Sequence, residues 1–216
     1  IDFTAKYGRN FYTRYWYFSV ILNFKSQFAN GYLYPDDSTV VSHFMAPAYI
    51  LNAYGVDFRT ENNFLTVFIS PVTFKSIIVN DQRLANLGAF GVPAAQYDTV
   101  NGVYGIVAYG QKYLNQLGGY MRINFQKEFF KKVNYITKVE LFSNYLKDPQ
   151  NLVFNWENTL SIRLTKYMVI NFNTFMVYDH NVPIVVKEDV NGQITTRTGP
   201  RLQFNELFSI GISYRF

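Results

Sequence analysis

Residues 152–165 read LVFNWENTLSIRLT. Leu152, Phe154, Trp156, Leu160, Ile162 and Leu164 occupy one set of alternate positions, and Val153, Asn155, Glu157, Thr159, Ser161, Arg163 and Thr165 occupy the other. Successive side chains of a strand point to opposite faces, so this stretch is a strand with one oily face and one wet face. Three more stretches follow the same rule. Over 12–28, Trp16, Phe18, Val20, Leu22, Phe24 and Phe28 oppose Tyr15, Tyr17, Ser19, Asn23, Lys25 and Gln27; over 120–129, Met121, Ile123, Phe125 and Phe129 oppose Arg122, Asn124, Gln126 and Glu128. Over 202–216, Phe204, Phe208, Ile210, Ile212, Tyr214 and Phe216 alternate with Gln203, Asn205, Ser209, Gly211, Ser213 and Arg215, and Glu206 interrupts the oily set.

Strands of ordinary globular domains run about 5–6 residues, whereas a strand tilted across a bilayer needs roughly 9–11. The alternation here persists at the longer scale. The wet faces agree with a membrane setting, because Asn, Gln, Ser, Thr and Tyr dominate them where a soluble sandwich needs Lys and Glu for solubility. They read as the lining of a lumen. Extended along the chain, the pattern predicts nine strands, at 1–8, 11–29, 43–58, 63–80, 112–128, 132–147, 152–165, 167–182 and 201–216. Links around Asn10, 59–62, 129–131 and Lys166 are short, while 30–42, 81–111 and 183–200 are long and 148–151 is the brief exception on that side. Short periplasmic turns alternating with longer extracellular loops characterise outer-membrane barrels. The expected fold is all-β, an antiparallel transmembrane β-barrel forming a single domain over 1–216. Closed single-chain bacterial barrels have an even number of strands, so nine imply at least ten, and amino-terminal strands outside this sequence are expected.

Composition removes most other classes. The 216 residues carry 20 Lys and Arg against 15 Asp and Glu, with 49% hydrophobic and only 16% charged residues, which excludes a disordered chain. There is no cysteine, hence no disulfide framework and no thiolate nucleophile or metal ligand. No uninterrupted apolar run approaches the roughly 18–20 residues of a membrane-spanning helix. With 21 Phe and 18 Tyr, the chain has more aromatic surface than a soluble core needs. The basic residues are scattered and the aromatics follow the apolar face, so the net charge of +5 gives no nucleic-acid groove.

Phe208, Ile210, Ile212, Tyr214 and Phe216 make an every-other-residue ladder ending in an aromatic, which resembles the signal recognised by the barrel-assembly machinery during insertion; an exposed last strand offers its backbone for pairing. Further stretches extend the likeness: SHFMAPAY at 42–49, SPVTFK at 70–75, LANLGAFGV at 84–92, FSNYL at 142–146 and GISYRF at 211–216. With these the chain resembles, over essentially its whole length, a Bacteroidota outer-membrane β-barrel family known only as a domain of unknown function. The resemblance implies about twelve strands, with roughly three amino-terminal ones lacking here, and an outer-membrane location in a Gram-negative bacterium. It transfers no activity.

The residues that carry chemistry are few. His43 and His180 are the only histidines. Asp179 and His180 with Asp36 and Asp37 loosely resemble the acidic pair and Asp/His group of outer-membrane aspartyl proteases, but solvated loop tips commonly hold such residues, and that is the preferred reading. Ser42 and His43 are adjacent and point to opposite faces of a regular strand, so they do not pair as nucleophile and base. No metal or nucleotide motif is present, and neither cofactor nor catalytic residue is assigned. Arg122, Lys138, Glu140, Glu157 and Arg163 are expected on the lumen faces of three successive strands as a mixed-sign cluster, either a selectivity constriction or, preferred, charges that pair and fill the bore. The segment 81–111 is a candidate plug, a surface loop being simpler. Tyr12, Trp16, Trp156, Tyr178 and Tyr214 are candidate interface-belt rings. Glu206 is expected near the rim, where a carboxylate on the oily face costs least. The reading as a whole is a multi-pass barrel with a narrow, occupied lumen, a structural or accessory subunit in contact with outer-membrane lipid and other outer-membrane proteins or lipoproteins. A small-solute channel is the alternative and an outer-membrane hydrolase a distant third.

Overall fold

The computed structural model describes residues 1–33, 35, 38–100, 103–180, 182, 184–190 and 193–212. In chain order the elements are β1 (Asp2–Asn10), β2 (Trp16–Ser26), β3 (Gly31–Tyr32), β4 (Val40–Ser42), β5 (Ala48–Arg59), β6 (Leu65–Ile78), α1 (Gln82–Asn86), β7 (Gln96–Val100), β8 (Val103–Ala108), β9 (Tyr113–Phe129), β10 (Val133–Asn144), β11 (Leu152–Arg163), β12 (Met168–Tyr178), β13 (Ile184–Val190), β14 (Gln193–Gly199) and β15 (Gln203–Ile212), with a 3-10 turn at Ala89–Gly91. The protein is all-β. Nine strands form one large antiparallel sheet in the order β1, β2, β5, β6, β9, β10, β11, β12, β15. Each of the nine strands expected from alternation is in it. Three of the long links carry two-stranded hairpins of their own, β3 with β4, β7 with β8 and β13 with β14. No ladder joins β1 to β15 among the described residues, so the sheet is not closed into a barrel.

Along β2 and β6, burial at adjacent positions runs opposite to that of a soluble sheet, which packs its oily face on a core. Along β2, Phe18 is 57% exposed while Ser19 is 3% exposed; along β6, Ile69 is 54% exposed and Ser70 is 1% exposed. Thr73 and Asp57 are also fully buried. Trp16, Val20, Leu22 and Phe74 are exposed too, and on the edge strand β15 both faces are exposed. The interior face is not wholly polar: Phe68, Tyr120, Phe142 and Val153 are buried too, and the Phe68 and Tyr120 rings pack with centroids 6.2 Å apart.

The chain divides into two compact units, and the division falls within β1, β2, β5, β6 and β9. The first comprises Ile1–Tyr7, Val20–Ala53 and Thr73–Gly118. Its core is Ala46, Ile77, Val79, Leu84, Ala85 and Val92, with Tyr49, Ala89, Phe90 and Leu114 packed against it. The segment 81–111 is therefore not a bare loop. Asp81 caps α1 by accepting from the backbone N–H groups of Arg83 and Leu84, at 2.8 and 3.2 Å. Gly88, at φ 69°, reverses the chain after α1, where a side chain would be strained. Asn86 Oδ1 accepts from the Gly110 N–H at 2.9 Å, and a Cβ on Gly110 would lie 2.2 Å from the Ala85 carbonyl oxygen, so only glycine permits this close approach. These contacts tie α1 to the strand ends at Ile77 and Val79.

The second unit comprises Gly8–Ser19, Tyr54–Val72 and Gly119–Phe216. Its registers define rows across β10, β11, β12 and β15, since paired residues share a face. On the oily face, Val139, Trp156, Met176 and Phe204 form one row and Tyr135, Leu160, Phe172 and Phe208 another. Val133, Ile162, Ile170 and Ile210 form a third. The opposite face is mixed, with Phe175 opposite Glu157 and Val177 opposite Asn155, and two polar pairs bond across it: Thr159 Oγ1 donates to Asn173 Oδ1 at 2.8 Å, and Ser161 Oγ donates to Asn171 Oδ1 at 2.7 Å.

Candidate functional site

The densest polar constellation lies on the interior face of β9, β10 and β11. Tyr120 and Arg122 are two residues apart on β9, hence on the same face, as are Lys138 and Glu140 on β10. The β10–β11 register sets Lys138 directly opposite Glu157. Arg122 Nη2 and Nε lie 2.7 and 2.9 Å from Glu140 Oε1, and Nε also donates to the Tyr120 hydroxyl at 2.7 Å. The Tyr120 hydroxyl in turn donates to Glu140 Oε1. Lys138 Nζ bridges Glu140 Oε2 at 3.2 Å and Glu157 Oε1 at 3.6 Å. Two cations and two carboxylates thus neutralise one another, and the Arg122 guanidinium also lies 5.5 Å from the Tyr120 ring centroid. Such a network satisfies buried charges, which are costly when left unpaired.

Four of the five residues expected in a cluster are brought together. Arg163 is the correction. It shares the parity of Glu157 but lies six residues further along β11, about 20 Å at ~3.3 Å per residue, and ends the strand exposed with its backbone N–H on the Lys132 carbonyl. Same face is not same level. Tyr120 was not anticipated, although its place two residues before Arg122 was a readable signal.

A second interior pair was also missed. Arg59 Nε donates to the fully buried Asp57 carboxylate, and its guanidinium stacks 4.8 Å from the Tyr17 ring centroid. Arg59 belongs to β5 and not to the link assigned to it. Nearby on the same face, Ser19 Oγ is buried without a hydrogen-bond partner.

His43 is not paired with Ser42, the neighbour considered from sequence. His43 Nε2 lies 3.3 Å from Asp81 Oδ2 and Nδ1 lies 2.9 Å from the Phe44 carbonyl oxygen, so its imidazole supports the α1 cap and not Ser42, which is buried. Burial pushes the Asp81 carboxyl up, but the bonds from Leu84 N–H, His43 and Arg83 N–H outweigh it and hold the group below its ordinary value. Tyr178 OH is 3.2 Å from His180 Nδ1. Asp36 and Asp37 lie outside the described residues. Among the described residues no group of three His, Asp or Glu side chains could hold a metal ion.

Of the belt candidates, Tyr12 is exposed in the turn between β1 and β2, Trp16 opens β2 with its ring 5.1 Å from Phe58, and Tyr178 closes β12. Trp156 is different. It sits within β11, opposite Val139 and Met176, and its indole N–H donates to Thr137 Oγ1 at 2.8 Å, which is not the strand end that a headgroup-level ring occupies. Tyr214 and Phe216 lie outside the described residues, while Phe208, Ile210 and Ile212 line up on the oily face opposite Phe172, Ile170 and Met168. No family model matches the chain, nor does any curated protein or any solved structure.

Proposed function

We propose that the chain is a multi-pass β-barrel of a bacterial outer membrane with a narrow, occupied lumen, a structural or accessory subunit of a larger envelope assembly and not an enzyme. The inverted burial carries the reading: in adjacent positions the serine is hidden and the phenylalanine is bare, an arrangement favourable only where hydrocarbon bathes the bare side. The neutralised Arg122, Glu140, Lys138 and Glu157 network supports an interior filled by paired charges.

The test exploits the absence of cysteine. Single cysteines at Phe154, Phe172 and Phe208, and at Asn155, Asn173 and Ser209, are labelled with a polarity-sensitive fluorophore in the full chain reconstituted into vesicles. The first set reports hydrocarbon and the second an aqueous or polar setting. Equal, aqueous signals from both sets would remove the membrane placement. In planar bilayers the same preparation gives no reproducible open steps; steady conductance would replace the subunit reading with a small-solute channel.

A further inference from the structure

A polar row crosses the oily face of β10, β11, β12 and β15. Thr137 is opposite Asn158, Asn158 opposite Thr174, and Thr174 opposite Glu206, one residue from each of four adjacent strands. The row is neither at the upper nor at the lower limit of the oily face, because the Trp156 row lies on one side of it and the Leu160 and Ile162 rows lie on the other. Glu206 is therefore not at a rim, as its sequence position suggested.

Three members of the row are matched internally. Trp156 Nε1 donates to Thr137 at 2.8 Å, the Tyr135 hydroxyl donates to Asn158 Oδ1 at 2.9 Å, and Asn158 Nδ2 donates to Thr174 Oγ1 at 3.2 Å. Glu206 is exposed and has no hydrogen-bond or ion partner among the described residues. A carboxylate facing hydrocarbon between apolar rows is costly, and ionisable groups at such depth are found paired. A basic group level with the row would offset that cost. A second copy meeting this row with its own row does not bring it, since the row consists of this one acid and neutral groups.

We infer that this face docks an apolar, membrane-embedded segment carrying one basic side chain level with the row, which pairs with Glu206. The inference rests on the membrane placement proposed above. The neutral hydrogen-bonded groups beside Glu206 give the segment a polar landing strip, and the apolar rows on either side give it packing surface.

The probe is a synthetic membrane-spanning helix of Leu and Ala with a single central Lys, compared with the same helix carrying Leu there. Association with the full chain, labelled at a cysteine replacing the exposed loop residue Lys147, is read by energy transfer in phosphatidylcholine vesicles. The Lys helix binds at least tenfold more tightly than the Leu helix. Glu206→Leu reduces that preference to within twofold, and Glu61→Gln, which alters a turn acid, retains it. Equal affinities for the two helices, or a preference that survives Glu206→Leu, overturns the docking inference. So does energy transfer between copies of the chain without peptide, which assigns the face to self-association. A label at Phe18→Cys, in vesicles of mid-chain brominated lipid, separates the two ideas. Quenching there with equal helix affinities sinks the docking alone, and absence of quenching sinks the membrane placement and the docking with it.

Discussion

Around α1, Leu84, Ala85 and Val92 are buried with Ala46, Ile77 and Val79, as in any water-bathed core, whereas along β2 and β6 Ser19, Ser70 and Thr73 are buried beside Ile21 and Phe68 while Phe18, Ile69 and Phe74 are bare. The two regions use the same apolar residue types in opposite senses. Composition therefore does not decide which face of an element is inside. What decides is the medium outside: next to water, burial of apolar surface stabilises, and next to hydrocarbon it brings little while every polar group left outward costs. On the membrane placement proposed above, the Arg122 network and the Leu84 core answer to two different solvents.

The hardest blow to that comparison is aimed at the polar interior. Glu140→Leu leaves Arg122 and Lys138 facing an apolar side chain, and removing one partner of a buried ionic group costs about 3–5 kcal/mol. The midpoint of urea unfolding in vesicles should fall sharply, and the double variant Arg122→Leu with Glu140→Leu should recover much of the loss. A neutral Glu140→Leu would mean that this face is as wet as an ordinary surface. At the other region, Leu84→Ala should cost about 2–5 kcal/mol of local stability, because it opens a cavity in a core built by few residues. Hydrogen exchange should quicken for amides 81–92 and remain unchanged in β10–β12; a loss spread over all strands would join the regions that the comparison separates.

How much of this was readable in advance follows from periodicity. The nine long strands were legible because period-two alternation over ten or more residues has no helical counterpart. The inserted elements were not. β3 has two residues and α1 has five, too few to express any period, and both hold their shape through tertiary contacts such as Asn86 to Gly110. Within the site, parity placed Arg122, Lys138, Glu140 and Glu157 on one face and left their level along the strands open. The β10–β11 register and the Arg122–Glu140 contact supplied the level, admitting the first four and removing Arg163. The row ending at Glu206 was illegible for the same reason, because Thr137, Asn158, Thr174 and Glu206 become neighbours only once three registers are known.

The oily face offers a test in which one substitution discriminates between media. Phe172→Arg replaces an exposed ring in the Leu160 row. On a water-facing sheet such a change lies within about ±0.5 kcal/mol, while near a bilayer midplane an outward arginine costs about 2–4 kcal/mol. Folding efficiency into vesicles should drop accordingly, and Asn173→Arg, on the other face, should not follow that depth-dependent rule. Equal tolerance of both would place water on both sides of β12.

The smallest effect belongs to the conventional region and has a definite pH signature. Asp81 accepts from two backbone N–H groups at the start of α1 and lies 3.3 Å from the His43 imidazole, and these bonds keep its carboxyl below the ordinary value despite partial burial. A carboxylate whose folded-state pKa is lowered contributes stability that is fully present above the unfolded value, about 3.9, and is lost as pH falls through the folded value. Asp81→Ala should therefore lower local stability by about 0.5–2 kcal/mol at pH 7, and the gap from the wild type should narrow below pH 4. Asp81→Asn keeps a good cap without the charge, so it should lie close to the wild type at pH 7 and lose the acid-dependent step. Measured as hydrogen exchange of the Leu84 and Ala85 amides between pH 3 and 7, with rates corrected for intrinsic pH dependence, the three curves separate a cap held by hydrogen-bond geometry from one held by charge. If Asp81→Asn retains the full acid step, the titrating group is not Asp81, and the α1 region owes its pH response to another carboxylate.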